Sequence, residues 1–311
     1  MGPERFANIS AGLATHSPFC TARSGTQTMK KLIIGCGYVG CRLAARWREA
    51  GHQVFATTRS PVRADQFARK GWKPVLCDVT KPAGIELPAV DVAVIAVGFD
   101  RGGGPTMREV YVEGLENVLQ RLSPDARCIY VSSTSVYGQT AGELVDENSQ
   151  TAPQESSGQI VLAAERVLQA NRPRATILRF AGIYGPGRLL REQALRDCKP
   201  IVASPDRWLN LIQVEDGVSA IEMAEVKGEP GSIYNVADDE PVKRGDFFAR
   251  LAGLLGAPPP RFESPQGGDV PPHELAHRRI SNRRMHIDLG VALAYPSYRE
   301  GLAGSIPSGP V

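Results

Sequence analysis

Six residues, Gly35-Cys36-Gly37-Tyr38-Val39-Gly40, constrain this chain more than any others. The apolar run Leu32-Ile33-Ile34 precedes them, and a helical stripe of Val39, Leu43, Ala44 and Trp47 follows and stops at Gly51. A G-x-G-x-x-G spacing is weak alone and specific between a strand and a helix. Gly35 permits a tight turn, Gly37 lets a pyrophosphate approach the backbone, and Gly40 lets the helix pack on the strand. The helix start, at Tyr38 and Val39, favours an anion. The segment therefore reads as a dinucleotide-binding turn. A tight turn without a ligand is the alternative.

The rest of the chain repeats this unit. Short apolar runs at 31–35, 53–57, 74–78, 92–97, 128–133 and 175–180 alternate with helical stripes such as Leu115, Val118, Leu119, Leu122 and Ile160, Ala164, Val167, Leu168. Most runs are continuous rather than alternating, as in parallel strands buried on both faces. The expected fold class is α/β, a Rossmann-type doubly wound parallel sheet with a small C-terminal substrate-binding lobe. Residues 29–180 with 209–240 would form the dinucleotide-binding domain, and 181–208 with 241–305 the lobe. A helix is expected near 214–226, a strand at 232–237 and a helix near 243–255. Residues 1–28 lack apolar periodicity and read as an extension ahead of Met29, with a transit peptide as the alternative; 306–311 reads as a tail.

Composition excludes several classes. With 42% apolar and 22% charged residues the chain is globular, and a net charge of +3 argues against nucleic acid or an acidic membrane as partner. No apolar run is long enough to span a bilayer. The six cysteines show no C-x2-C spacing and the five histidines, His16, His52, His273, His277 and His286, do not cluster, so no metal is expected. Cys77 and Cys128 lie in apolar runs and read as buried thiols of a reducing compartment, which suggests the cytoplasm.

The second strand ends Thr57-Thr58-Arg59-Ser60, where NAD sites usually carry a carboxylate for the ribose hydroxyls. A guanidinium there matches a 2′-phosphate and a carboxylate would repel it. NADP is thus the expected cofactor, with NAD second; Arg59 as a plain loop cation is the competing reading. Asp78, followed by Val79, stands after the third strand as an adenine acceptor or an N-cap, and Gly98 would let the ribose approach the fourth.

Three further stretches, SSTSVYG at 132–138, ILRFAGIYGPGR at 177–188 and IQVEDGVSAI at 212–221, complete a pattern with the N-terminal glycines. Together they resemble the extended short-chain dehydrogenase/reductase family, in its NAD-dependent epimerase/dehydratase branch, over about 30–305. The end of the chain resembles an atypical bacterial subgroup. The resemblance implies a substrate-facing hydroxyl at Ser133 with Thr134 beside it. It also implies a catalytic Tyr-x-x-x-Lys on the next helix. Anchored on Glu165, those two positions are Ser157 and Val161, and neither can move the proton. No lysine stands between Lys81 and Lys199. Tyr137 and Tyr184 match structural tyrosines, and either is a replacement acid to consider. Arg179 and Arg188 match the substrate cleft, and Asn210 and Gln213 fall where the family meets a nucleotide-sugar; Asp216 reads as a helix cap. Gly185-Pro186-Gly187 is either part of that cleft or a turn. The expectation is an oxidoreductase acting on a nucleotide-sugar-like or other small polar substrate, as a homodimer by family analogy. The rival is an inactive NAD(P)-binding sensor or partner-binding protein.

Overall fold

The computed structural model describes residues 27–264 and 276–306. The extension 1–26, Cys20, His16, His273 and the tail from 307 lie outside the described residues. Seven strands form the central sheet: β1 Lys30–Ile34, β2 Gln53–Thr58, β3 Lys73–Leu76, β4 Val92–Ile95, β5 Arg127–Ser133, β6 Thr176–Phe180 and β7 Ile233–Val236. All pairings are parallel, in the order β3-β2-β1-β4-β5-β6-β7. The order reverses between β1 and β4, and a crevice opens at such a point above the carboxyl ends of the strands.

The chain builds this sheet because its strands are apolar on both faces. Ile33, Val54, Val94 and Ile129 point into one core with Leu43, Ala44 and Trp47 of α1 (Tyr38–Glu49) and Val218 and Ile221 of α6 (Val214–Lys227). Leu32, Ile34, Ile95 and Tyr130 point the other way, against α3 (Gly114–Leu119) and α4 (Ser156–Asn171). That is the period of two, buried twice. Helix α2 (Pro61–Arg69) starts where sequence rules place a start, with Ser60 accepting from the Arg63 N–H and Pro61 in the first turn. The edge strand β3 carries Lys73 and Pro74, which discourage further pairing.

A smaller apolar cluster forms the second lobe. Phe247, Phe248 and Leu251 of α7 (Arg244–Leu254) pack with Tyr184, with Leu195 of α5 (Glu192–Arg196) and with Tyr298 and Leu302 of α8 (Tyr298–Ala303). The lobe does not take all of 241–305 as expected. Residues 278–280 pair with 143–145, and Met285, Leu289 and Val291 join the main core beside α6. No described helix is long and apolar enough to cross a membrane.

Candidate functional site

A cavity of about 550 Å³ lies at the sheet's reversal. Gly35 and Gly37 line it, with Thr58 ending β2, Arg59, Ser60 and Arg63 beyond it, Asp78 and Val79 beyond β3, and Gly98 and Asp100 beyond β4. Most residues expected to hold a cofactor therefore share one wall.

The glycines answer as the turn requires. Gly35 has φ +88°, and a Cβ there would fall 2.5 Å from the Ala96 carbonyl oxygen. At Gly40 a Cβ would meet Ile33 Cγ2 at 2.9 Å. A Cβ at Gly37 would touch only the Gly35 carbonyl, at 4.0 Å, and one at Gly98 nothing. Both glycines thus keep open the space into which a pyrophosphate and a ribose would fit. Val39 turns its side chain into the core, so only its backbone faces the helix start.

Charge at the end of β2 is positive. Arg59 is half exposed, in a loose 3.8 Å pair with Asp100. Arg63 turns back over the glycine turn, donating to the Cys36 carbonyl at 2.8 Å. The Thr58 hydroxyl accepts from the Ser60 N–H at 3.1 Å. Asp78 accepts from the Thr80 hydroxyl at 2.8 Å and the Thr80 N–H at 3.1 Å, so it ties its own turn instead of capping a helix. Burial disfavours its charge, but the Thr80 bonds, with Lys81 and Arg59, outweigh burial and hold the carboxyl below its ordinary value.

At the end of β5, Ser133 and Thr134 are half-buried, and the Ser133 hydroxyl accepts from the Ser135 N–H at 3.1 Å. Arg278 is buried and donates to the Thr134 carbonyl at 3.1 Å, holding this turn from below. Tyr137 does not present a free phenol. It is 1% exposed; its hydroxyl donates to Asn235 at 2.8 Å and accepts from Arg179 at 3.0 Å. Tyr184 is wholly buried beneath α8.

Three of the four expected substrate contacts are structural. Arg179 is buried, both arms on Glu165 at 2.8 and 3.0 Å, because a guanidinium inside the sheet needs a carboxylate. Asn210 accepts from the Ile280 N–H at 2.8 Å and donates to the Arg278 carbonyl at 2.9 Å, pinning the strand 278–280. Gln213, 1% exposed, caps α6 by accepting from the Glu215 N–H. Asp216 reaches past its helix to the N–H groups of Ala294 and Tyr295, each at 2.8 Å. Of the four, only Arg188 is exposed, its guanidinium 5.4 Å from the Tyr38 ring centre. The Tyr38 hydroxyl donates to the Pro186 carbonyl at 3.1 Å.

One tyrosine near the end of β4 gives no signal in sequence. Tyr111 sits in a π-helical turn, Glu109–Glu113, ahead of α3. Its hydroxyl accepts from the Phe99 N–H at 3.0 Å, just past the end of β4. Burial raises its pKa, with the Phe99 bond and the Arg188 charge opposing. In sequence it looks like one more member of an apolar stripe. The local widening of the helix is invisible there.

These features define a dinucleotide-binding α/β protein of the extended short-chain dehydrogenase/reductase type. The model of the NAD dependent epimerase/dehydratase family matches residues 32–237, and the chain belongs to that family. It is 30% identical to protein YeeZ of Escherichia coli over 252 residues, 76% of this chain and 88% of that protein. It is 26% identical to a 3-diazoavenalumate denitrifying reductase of a Streptomyces species, over 88% of this chain and 99% of that protein. Among solved structures, MoeE5 in complex with UDP-glucose and NAD superposes with a TM-score of 0.71 at 21% identity, covering 89% of this chain and 97% of that one.

Proposed function

We propose that the chain is an NADP(H)-dependent oxidoreductase, with NAD(H) as second cofactor, that transfers hydride to or from a small polar substrate. The observation that carries this reading is the cationic end of the cavity, where Arg59 and Arg63 flank Ser60 and no carboxylate stands at the end of β2. A 2′-phosphate finds charge-assisted donors there. The cofactor, when bound, supplies the hydride. Gly35, Gly37 and the N–H groups of Tyr38 and Val39 hold its pyrophosphate, Gly98 admits a ribose, and Asp78 and Val79 border the adenine.

At the reacting end, Ser133 and Thr134 offer hydroxyls to the substrate oxygen and Arg188 guards the cleft. The Tyr-x-x-x-Lys positions hold Ser157, whose hydroxyl leans on Glu155 at 3.4 Å, and Val161, buried in an apolar cluster. Of the three tyrosines near the strand ends, Tyr111 is the one suited to proton transfer: Phe99 uses only its acceptor side, so its hydrogen is free to donate. Tyr111→Phe is expected to lower turnover about a hundredfold with cofactor affinity unchanged.

Two relatives support different substrates. The Streptomyces protein is named a reductase, which favours reduction over epimerisation, whereas MoeE5 was solved with UDP-glucose. The burial of Gln213 and the engagement of Asn210 with the strand 278–280 favour a small polar substrate over a nucleotide-sugar. The buried Val161 supports the second reading, a sensor that binds cofactor without turnover.

The first test is to denature the purified protein and identify released nucleotides by mass spectrometry. NADP(H) supports the proposal and a co-released nucleotide-sugar names that substrate class. Tight NADPH binding with no turnover on aldehydes, ketones or nucleotide-sugars would give the sensor reading the lead. Sedimentation at micromolar concentration tests the homodimer through α3 and α4, which a monomer would remove.

A further inference from the structure

Two of the five cysteines among the described residues lie close together at the glycine turn, one within it and one after it. Cys36 occupies the second position of the motif and lines the cavity. Cys41 follows the last glycine, in the first turn of α1, and is half-buried. Their sulfurs lie 3.7 Å apart. The Cys41 thiol donates to the Cys36 carbonyl at 3.3 Å, and the Arg63 guanidinium spans the same two residues, 2.8 Å from that carbonyl and 3.8 Å from Cys41 Sγ. Nothing in the proposed hydride transfer uses a thiol.

We propose that Cys36 and Cys41 are a reversible oxidation site that closes to a disulfide and, when closed, loosens the grip of the turn on the dinucleotide. This rests on the reading of the turn as the cofactor's cradle. The half-exposed Cys41 is the sulfur that reacts first. The bond from Cys36, with Arg63 and Lys70 nearby, holds its thiol down to about 6 against the pull of burial, and the helix N-terminus favours the thiolate. Cys36 is driven the other way by the same contact and by burial, so it stays the neutral resolving thiol.

The chemistry balances with a peroxide as oxidant. The Cys41 thiolate attacks one peroxide oxygen, the O–O bond breaks, and Cys41 becomes a sulfenic acid as hydroxide leaves and takes up a proton. Cys36 sulfur then attacks Cys41 sulfur, the S–O bond breaks, and the second hydroxide leaves with the Cys36 proton as water. Two thiols lose two electrons and the peroxide gains them. A small-molecule dithiol reverses the step.

The disulfide requires about 2.05 Å between sulfurs, so the pair must close by roughly 1.6 Å. A closure that draws residue 36 toward Cys41 pulls on Gly37, whose N–H is bonded to the Gly35 carbonyl at 2.7 Å, and on the Arg63 donor. Those are the groups that shape the pyrophosphate cradle. By linkage, bound cofactor must also disfavour the disulfide form.

Both cysteines fall on one tryptic peptide, 32–42. The full chain would be treated with hydrogen peroxide, with and without NADPH, alkylated and digested. NADPH would then be titrated into reduced and oxidised protein. The expected result is a peptide lighter by two hydrogens and unalkylated, restored by dithiothreitol, less abundant with NADPH present. Affinity should fall at least about tenfold on oxidation, a change absent from Cys41→Ser, which should bind NADPH as the reduced protein does. Free thiols, an over-oxidised Cys41 beside a free Cys36, or a disulfide with unchanged affinity would each overturn the proposal. Were the reduced protein to bind no nicotinamide dinucleotide, the functional reading and the affinity half would fall together, while the peptide mass would still decide the disulfide.

Discussion

Arg59 and Gly40 set the two residue-scale tests of the site. A charge-assisted hydrogen bond is worth about 1.5–3 kcal/mol, or roughly tenfold to a hundredfold in affinity. Arg59→Ala should therefore weaken NADPH by about that factor and leave NADH unchanged in a fluorescence titration; equal loss for both would show that the guanidinium does not read a 2′-phosphate. Gly40→Ala places a methyl 2.9 Å from Ile33 Cγ2 and 3.0 Å from the Gly35 carbonyl. Overpacking of this kind costs about 1–3 kcal/mol, readable in urea unfolding. The places of these residues were legible in the sequence because each follows from backbone geometry or from the end of a strand. Tyr111 was not, because its place depends on a widened helical turn, and Arg63 was not, because its side chain meets the Cys36 carbonyl 27 residues away.

Among the elements, β6 and α4 are held together by charge. Glu165 accepts two bonds from Arg179 and one from the Ser132 hydroxyl at 2.5 Å, so β5, β6 and α4 meet at one carboxylate. Removing one partner of such a buried pair costs about 3–5 kcal/mol. Arg179→Ala should lower stability by that order in a denaturant melt, whatever happens to activity. The elements themselves were readable: helices expected near 214–226 and 243–255 are found at Val214–Lys227 and Arg244–Leu254, and the strand at 232–237 is Ile233–Val236. The partners of Arg179, Asn210 and Gln213 were not. A polar residue in a motif looks the same whether it faces a ligand or a carboxylate fourteen residues away, and only packing separates the two. The segment 278–291 misled for a similar reason, since its pairing with 143–145 is long-range in sequence.

For the whole molecule, Asp238 gives a pH signature. It is 2% exposed, one carboxylate oxygen has no hydrogen-bond partner among the described residues, and burial drives its pKa well above the ordinary value, with Asp239, Glu240 and Asp216 adding to it against a backbone bond from Glu240. The folded state keeps this proton to higher pH than the unfolded chain, whose value is about 3.9. Stability is therefore lost as pH rises from the unfolded value through the folded one. Asp238→Asn removes the penalty. It should raise Tm by a few degrees near pH 8 and by little near pH 4; equal gains at both would show that ionisation is not the cause.

The contact of Tyr38 with the loop 185–188 extends this to kinetics. Tyr38 opens the helix that would face the pyrophosphate, yet its hydroxyl holds the Pro186 carbonyl, and a Cβ at Gly185 would press on that hydroxyl at 2.7 Å. The first turn of α1 and the rim of the substrate cleft are thus a single mechanical part. A ligand that steadies one should steady the other, so binding at the two places should be mutually strengthening. Trypsin reports it: cleavage after Arg188 and Arg191 should slow when NADPH is present, and Tyr38→Phe should abolish that protection while nucleotide binding persists.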